Sequence, residues 1–147
     1  MKIIIAGAGE VGFHLAKLLS YESQDITLID CDKESLNYAD NHLDIRVLKG
    51  DATSISVLKD AQVQNSNLVI GVTASETTNI TLCMLAKQLG CERTIARISN
   101  TEFIDCKEKI RFDELNILSN QPKLENGKIN INIKWNNPIQ AVDKSKF

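Results

Sequence analysis

An α/β fold with a three-layer, doubly wound parallel sheet is predicted by three observations on this chain. Short apolar runs alternate at a regular pace with helical patterns, the signature of βαβ units. The first run, Lys2 to Ala6, is continuously apolar after its lysine, as expected of a strand covered by helices on both faces. A glycine-rich turn, Gly7 to Gly12, then separates that run from the first helical pattern. At 147 residues, 43% of them hydrophobic, the chain is long enough for one well-packed domain and too short for two of ordinary size.

The elements follow in order. Val11, Leu15, Leu18 and Leu19 recur at i, i+4, i+7 and i+8, an amphipathic first helix. Ile26 to Ile29 is the second strand, ending at Asp30. Asp32 then caps a helix running through Leu36 and Ala39 towards Asn41. Ile45 to Leu48 is the third strand, closed by Gly50-Asp51, after which Thr53 or Ser54 caps a helix carrying Ile55 and Leu58. Leu68 to Val72 is the fourth strand. Thr77 to Leu89 is a long helix burying some combination of Ile80, Leu82, Cys83, Leu85, Ala86 and Leu89, with Gly90 placed for a left-handed C-terminal cap. Thr94 to Ile98 is a fifth strand, and Glu102 to about Phe112 reads as a further helix. From Leu118 the helical periodicity stops. Ile129, Ile131, Ile133 and Trp135 alternate with polar residues after the turn signal Asn126-Gly127, which predicts one half-buried strand at 129–135 in an atypical tail, 118–147.

Gly7-Ala8-Gly9-Glu10-Val11-Gly12 matches GxGxxG, and its position between a strand and a helix gives the match its weight. Gly7 permits the tight turn, Gly9 lets the backbone approach a pyrophosphate, and Gly12 lets the helix pack close to the sheet. Free N–H groups and the helix dipole at that end attract phosphate. Asp30, at the end of the second strand, stands close to the about 20-residue offset at which an acid accepts hydrogen bonds from ribose hydroxyls. Its charge repels a 2′-phosphate and favours NAD or a simple adenine nucleotide over NADP. The alternative is an aspartate that merely starts a turn.

Further candidates lie at the same carboxyl edge of the sheet. Asp51, or the backbone of Asp51-Ala52-Thr53, contacts adenine or else forms an ordinary helix-capping turn; spacing alone favours neither. Thr73 is expected to face the nicotinamide end, while Glu76 also reads as a first-turn acid. Arg97 falls in an otherwise apolar strand and requires a partner, either a bound phosphate or a carboxylate of the site.

Composition narrows the function classes. A net charge of −2 supplies no field that gathers nucleic acid or an anionic membrane. No apolar run approaches the ~20 residues needed to cross a bilayer, and neither direct membrane insertion nor a leader is expected, so the chain is assigned to the cytoplasm. Cys31, Cys83, Cys91 and Cys106 lack metal-ligand spacing, and no metal site is expected. The only histidines, His14 and His42, sit in a helix and in a connection. No Tyr-x-x-x-Lys or Ser/His/Asp arrangement offers the acid or base that hydride transfer requires, so no catalytic residue is assigned.

Taken together, MKIIIAGAGEVG (1–12), LIDCD (28–32), RVLKGDAT (46–53), VTASETTNI (72–80) and ARISN (96–100) resemble the TrkA N-terminal, or KTN/RCK, nucleotide-binding domains. These are cytosolic regulators of bacterial potassium transporters and channels. The resemblance covers about Met1 to Ile117. It implies a six-stranded Rossmann-like NAD(P)-binding domain that takes NAD or NADH, or in some members ATP, ADP or AMP. The nucleotide gates a dimeric or higher assembly attached peripherally to the inner membrane through the transporter subunit. By motif match, Gly7, Ala8, Gly9, Glu10, Val11 and Gly12 hold phosphates and Asp30 holds the ribose, with the adjoining Cys31 also expected at the cofactor. Asp51, Ala52 and Thr53 lie by the adenine, Thr73, Ala74 and Glu76 by the distal half of the ligand, and Arg97 by the phosphates. Residues 118–147 do not match the last strand, linker and small effector domain with which such proteins usually continue. The competing reading is a fragment of an NAD-dependent oxidoreductase whose catalytic domain is missing.

Overall fold

The computed structural model describes residues 1–100, 102, 123–125 and 128–130. Strands β1 (Lys2–Ala6), β2 (Asp25–Asp30), β3 (Arg46–Lys49), β4 (Leu68–Gly71) and β5 (Arg93–Ala96) form one parallel sheet in the order β3-β2-β1-β4-β5. Helices α1 (Glu10–Tyr21), α2 (Lys33–His42), α3 (Ile55–Asp60) and α4 (Glu76–Gln88) provide the crossovers, with a 3₁₀ turn at Val63–Asn65.

Side chains alternate across a strand, so β1 feeds two cores. Ile3 and Ile5 face one layer with Ala16, Leu36 and Ala39 of α1 and α2. Ile4 and Ala6 face the other with Leu58, Leu82 and Ala86 of α3 and α4. That division is the three-layer, doubly wound arrangement. Ile4 and Ile5 are wholly excluded from solvent, each contributing roughly 1.5–3 kcal/mol by burial.

Several local expectations agree with the structure and several are corrected. Asp32 caps α2, accepting from the N–H groups of Glu34 and Ser35, and Gly90 takes the left-handed conformation (φ +105°) after α4. Leu18, placed in the buried stripe of α1, is exposed. Gly12 and Ala16 are the buried residues of that helix, because small residues bring its axis close to the sheet and push the larger ones to the flanks. Strand β5 ends at Ala96, so Arg97 lies just past the strand, although its N–H still donates to Gly71 O at 2.8 Å.

Strand β7 (Lys128–Asn130) starts before the expected 129–135 segment. It pairs antiparallel with a strand the sequence had not suggested, β6 (Lys123–Glu125), with Glu125 opposite Lys128 across Asn126-Gly127. Residues 131–135 lie outside the described residues, as does the segment 113–117 after which the resemblance implies a last, sixth strand. Of the expected helix at 102–112 only Glu102 is described, and it is helical. Among the described residues no helix is long and apolar enough to cross a membrane.

Candidate functional site

In an open parallel sheet the chain turns in opposite directions on either side of the point where strand order reverses, and a crevice opens beyond the carboxyl ends there. With order 3-2-1-4-5 that point lies between β1 and β4. The loop after β1 is Gly7 to Gly9, and the loop after β4 is Val72 to Ser75.

The three glycines differ in what the surrounding chain demands of them. Gly7 has φ +107°, and a Cβ there would lie 2.9 Å from the Val72–Thr73 peptide, so it is held both by its turn and by the neighbouring loop. A Cβ on Gly12 would lie 1.7 Å from the carbonyl oxygen of Gly7, so α1 reaches this height above β1 only with glycine. Gly9 is exposed, has φ −67° and ψ −173°, and among the described residues has nothing within 4 Å of its Cβ position. Neither its conformation nor packing among the described residues asks for glycine at position 9. The open space lies over the start of α1, whose N-cap residue supplies no side-chain cap. Helices α2 and α4, by contrast, are capped by Asp32 and Ser75. Among the described residues, therefore, no side chain accepts from the first-turn amides of α1.

Asp30, half-buried at the tip of β2, is drawn into the same loop. Its Oδ2 accepts from the N–H of Ala8 at 2.5 Å and its Oδ1 from the N–H of Asp32 at 2.8 Å. Each carboxylate oxygen retains a free lone pair. Next along the edge, the exposed Cys31 thiol donates to Gly50 O at 3.3 Å, and Gly50 N–H donates to Asp30 O. Asp51 Oδ1 accepts from both the N–H and the hydroxyl of Thr53, at 2.8 and 2.7 Å. Those two bonds, the backbone one first, hold the Asp51 carboxyl below its ordinary value. Ala52 is packed into the core, and Glu10 and Val11 occupy the first turn of α1, exposed and half-buried.

On the other side of the crevice Ala74 is exposed and Thr73 half-buried. Glu76 is committed within the chain: its Oε1 accepts from Ser99 N–H at 2.6 Å and Asn100 N–H at 2.9 Å, strapping the segment after β5 to α4. Arg97 is half-buried. One residue that sequence reasoning missed organises this half: Asn79, fully buried, is bonded to Thr73 and to the carbonyl of Arg97. It stands at i, i+3, i+4 and i+7 with Leu82, Cys83 and Ala86, a polar residue at a core position, and that spacing was the available signal. A hollow of about 430 Å³ at the opposite edge is lined by Tyr21, Asp25, His42 and Asp44. It has two carboxylates and no helix N-terminus, so it suits no phosphate.

A parallel sheet in this order, with a glycine loop at its switch point and an acid at the tip of the adjoining β2, defines a Rossmann-type domain. The TrkA-N domain matches residues 3–117. The chain belongs to the TrkA-N domain family. It is 42% identical over 118 residues to the Trk system potassium uptake protein TrkA of Haemophilus influenzae, a match covering 80% of this chain and 26% of that one. The chain thus spans about a quarter of that relative's length. Among solved structures, the TrkA-N domain of the inner membrane protein ybaL from Escherichia coli superposes with a TM-score of 0.69 at 14% identity, covering 80% of this chain and 84% of that one. The GsuK channel bound to NAD superposes at 0.63 and 19% identity, covering 76% and 20%. At those identities the structures establish the shared fold.

Proposed function

We propose that this chain is the nucleotide-binding module of a regulatory subunit of a bacterial potassium uptake transporter or channel, and that it binds NAD or NADH, with ATP, ADP or AMP as the alternative ligands. Residues 1–117 form that module and 118–147 a separate tail. The observation that carries the reading is Gly9: a glycine that neither its own conformation nor its neighbours among the described residues require, at the N-terminus of α1 and beside the switch point. A pyrophosphate occupies such a place, since its oxygens accept from the exposed amides and a Cβ would keep it away. Asp30 has acceptor capacity left for the ribose hydroxyls. Arg97 supplies positive charge beyond the sheet edge, next to β4. The kinship with TrkA, named for potassium uptake, and the likeness to a channel domain whose structure contains NAD support the regulatory role.

Regulation follows from linkage. A nucleotide that binds one state of the assembly more tightly shifts the population towards that state. A differential of ~1–3 kcal/mol biases the gate about 5- to 150-fold. The assembly is a homodimer or larger, peripheral to the membrane through its transporter partner. No catalytic residue is assigned: on the Thr73 side of the crevice the described carboxylate is Glu76, and it is engaged by the N–H groups of Ser99 and Asn100.

The test is a thermal-shift panel with NAD, NADH, NADPH, ATP, ADP and AMP, followed by calorimetry on the best ligand. A specific ligand raises Tm according to RT ln(1 + [L]/Kd). A flat response to all six overturns the nucleotide reading, and steady NADH oxidation with carbonyl substrates overturns the regulatory one.

A further inference from the structure

Asn79 spends its whole hydrogen-bonding capacity on the far wall of the crevice. Its Oδ1 accepts from the N–H of Thr73 at 2.9 Å and from the Thr73 hydroxyl at 2.7 Å. Its Nδ2 donates to Thr73 O at 3.2 Å and to Arg97 O at 2.9 Å. A carboxamide has two acceptor and two donor positions, and all four are filled. The orientation of the amide is fixed, because a backbone N–H can only donate and a carbonyl only accept. The side chain is wholly shielded from water, where an unmade bond is expensive and a fully satisfied network is rigid.

Two glycines make the arrangement possible. A Cβ on Gly71 would lie 3.1 Å from Cα of Asn79, so α4 crosses the end of β4 closely enough for a short amide to reach both loops. A Cβ on Gly7 would lie 2.9 Å from Thr73 N, so the peptide that Asn79 holds is the one the glycine loop rests against. Asn79 thus joins the ends of β4 and β5 and, through the Thr73 peptide, abuts the loop after β1.

We infer that Asn79 is the positioning residue for the distal half of a dinucleotide site. It touches no ligand; it holds Thr73 and the Arg97 backbone where the half of the ligand beyond the pyrophosphate comes to lie. This role rests on the nucleotide reading of the glycine loop. The acid at the tip of β2 assigns adenosine to the β1–β2–β3 side, so the remainder of a dinucleotide extends over β4 and β5, the side that Asn79 organises. A mononucleotide such as AMP ends before it. The consequence is a selectivity that a purely structural residue would not produce.

The 147-residue chain and its Asn79→Ala variant are titrated with NADH and with AMP by calorimetry, well below either Tm. The expected result is NADH binding weakened about ten-fold or more, with AMP affinity unchanged. Equal losses for both ligands, or no loss for either, overturn the role. Should the variant fail to fold, the wild-type chain answers by NMR. NADH is expected to shift the Thr73 backbone amide and the Asn79 side-chain amide, and AMP to leave them in place; the same response to both ligands overturns the inference. Wild-type chain that binds neither ligand overturns the nucleotide reading itself and Asn79's role with it, an outcome distinct from selective or non-selective loss in the variant.

Discussion

Adding one methyl group to Gly9 and one to Gly12 separates what the glycine loop does for folding from what it does for a ligand. In Gly12→Ala the new Cβ would sit 1.7 Å from Gly7 O, against an ordinary C···O contact of about 3.3 Å. Helix α1 must back away from β1 by roughly 1.5 Å, opening the packing of Ala16 on the sheet. Such backbone overpacking costs about 3 kcal/mol or more, which for a chain of this size lowers Tm by roughly 6–12 °C. In Gly9→Ala the methyl enters open space. A loss of about 0.5–1 kcal/mol for alanine at an N-cap is offset by a gain of about 0.4–1 kcal/mol from the stiffer unfolded chain. Its Tm therefore stays within about 2 °C of wild type. NADH affinity nevertheless falls about ten-fold or more, since hydrogen bonds from amides to a charged phosphate contribute about 1.5–3 kcal/mol. Scanning fluorimetry gives the two Tm values and calorimetry the affinities. Gly9→Ala protein that binds NADH as tightly as wild type would show that the open space is not where the pyrophosphate docks.

Other perturbations report on separate parts of the structure. Asp30→Ala removes the acceptor for Ala8 N–H and for the ribose; NADH binding weakens about ten-fold or more and NADPH loses its disadvantage, whereas an unchanged NADH/NADPH ratio in titrations would remove Asp30 from the site. The carboxyl of Asp32 is held below its ordinary 3.8, first by the Ser35 hydroxyl, then by the backbone of Ser35 and Glu34 and the charge of Lys49. A depressed folded-state pKa means that its stabilisation is complete above 3.8 and lost as pH falls through the lower folded value. Tm should therefore drop between mildly acidic pH and pH near 3 more steeply in wild type than in Asp32→Ala, and parallel curves would contradict the cap's contribution. Glu76→Ala removes the carboxylate that accepts from the Ser99 and Asn100 N–H groups, so the exchange of those amides should quicken by about ten-fold, while Glu76→Gln, which keeps an acceptor, leaves it near wild type. Burial pushes the Cys83 thiol up to about 12, so a thiol reagent at neutral pH should label the exposed Cys31 in the native chain and Cys83 only on unfolding. NADH should slow Cys31 labelling, and unprotected labelling at saturating NADH would put the ligand elsewhere.

How far the sequence carried is best seen residue by residue. Strand β1, the cap at Asp32 and the left-handed Gly90 were legible because each depends on local backbone chemistry, which a short window of residues contains. Leu18 was misplaced because periodicity weighs size and apolarity, whereas the sheet-facing line of α1 is set by how closely two small residues let the helix approach. Asn79 escaped for a related reason. Hydrophobic patterning counts a polar residue as surface, and only the tertiary positions of Thr73 and Arg97 reveal that a buried amide can be fully satisfied there. Glu76 belongs with it, since its partners at Ser99 and Asn100 are more than 20 residues away in sequence. The GxGxxG match itself divides in two. A domain that bound nothing would still keep Gly7, because the Val72–Thr73 peptide abuts it, and Gly12, because α1 could not otherwise reach the sheet. Two of the motif's three glycines are therefore evidence of fold. The evidence of ligand is what remains once folding has claimed its share, and it sits at Gly9.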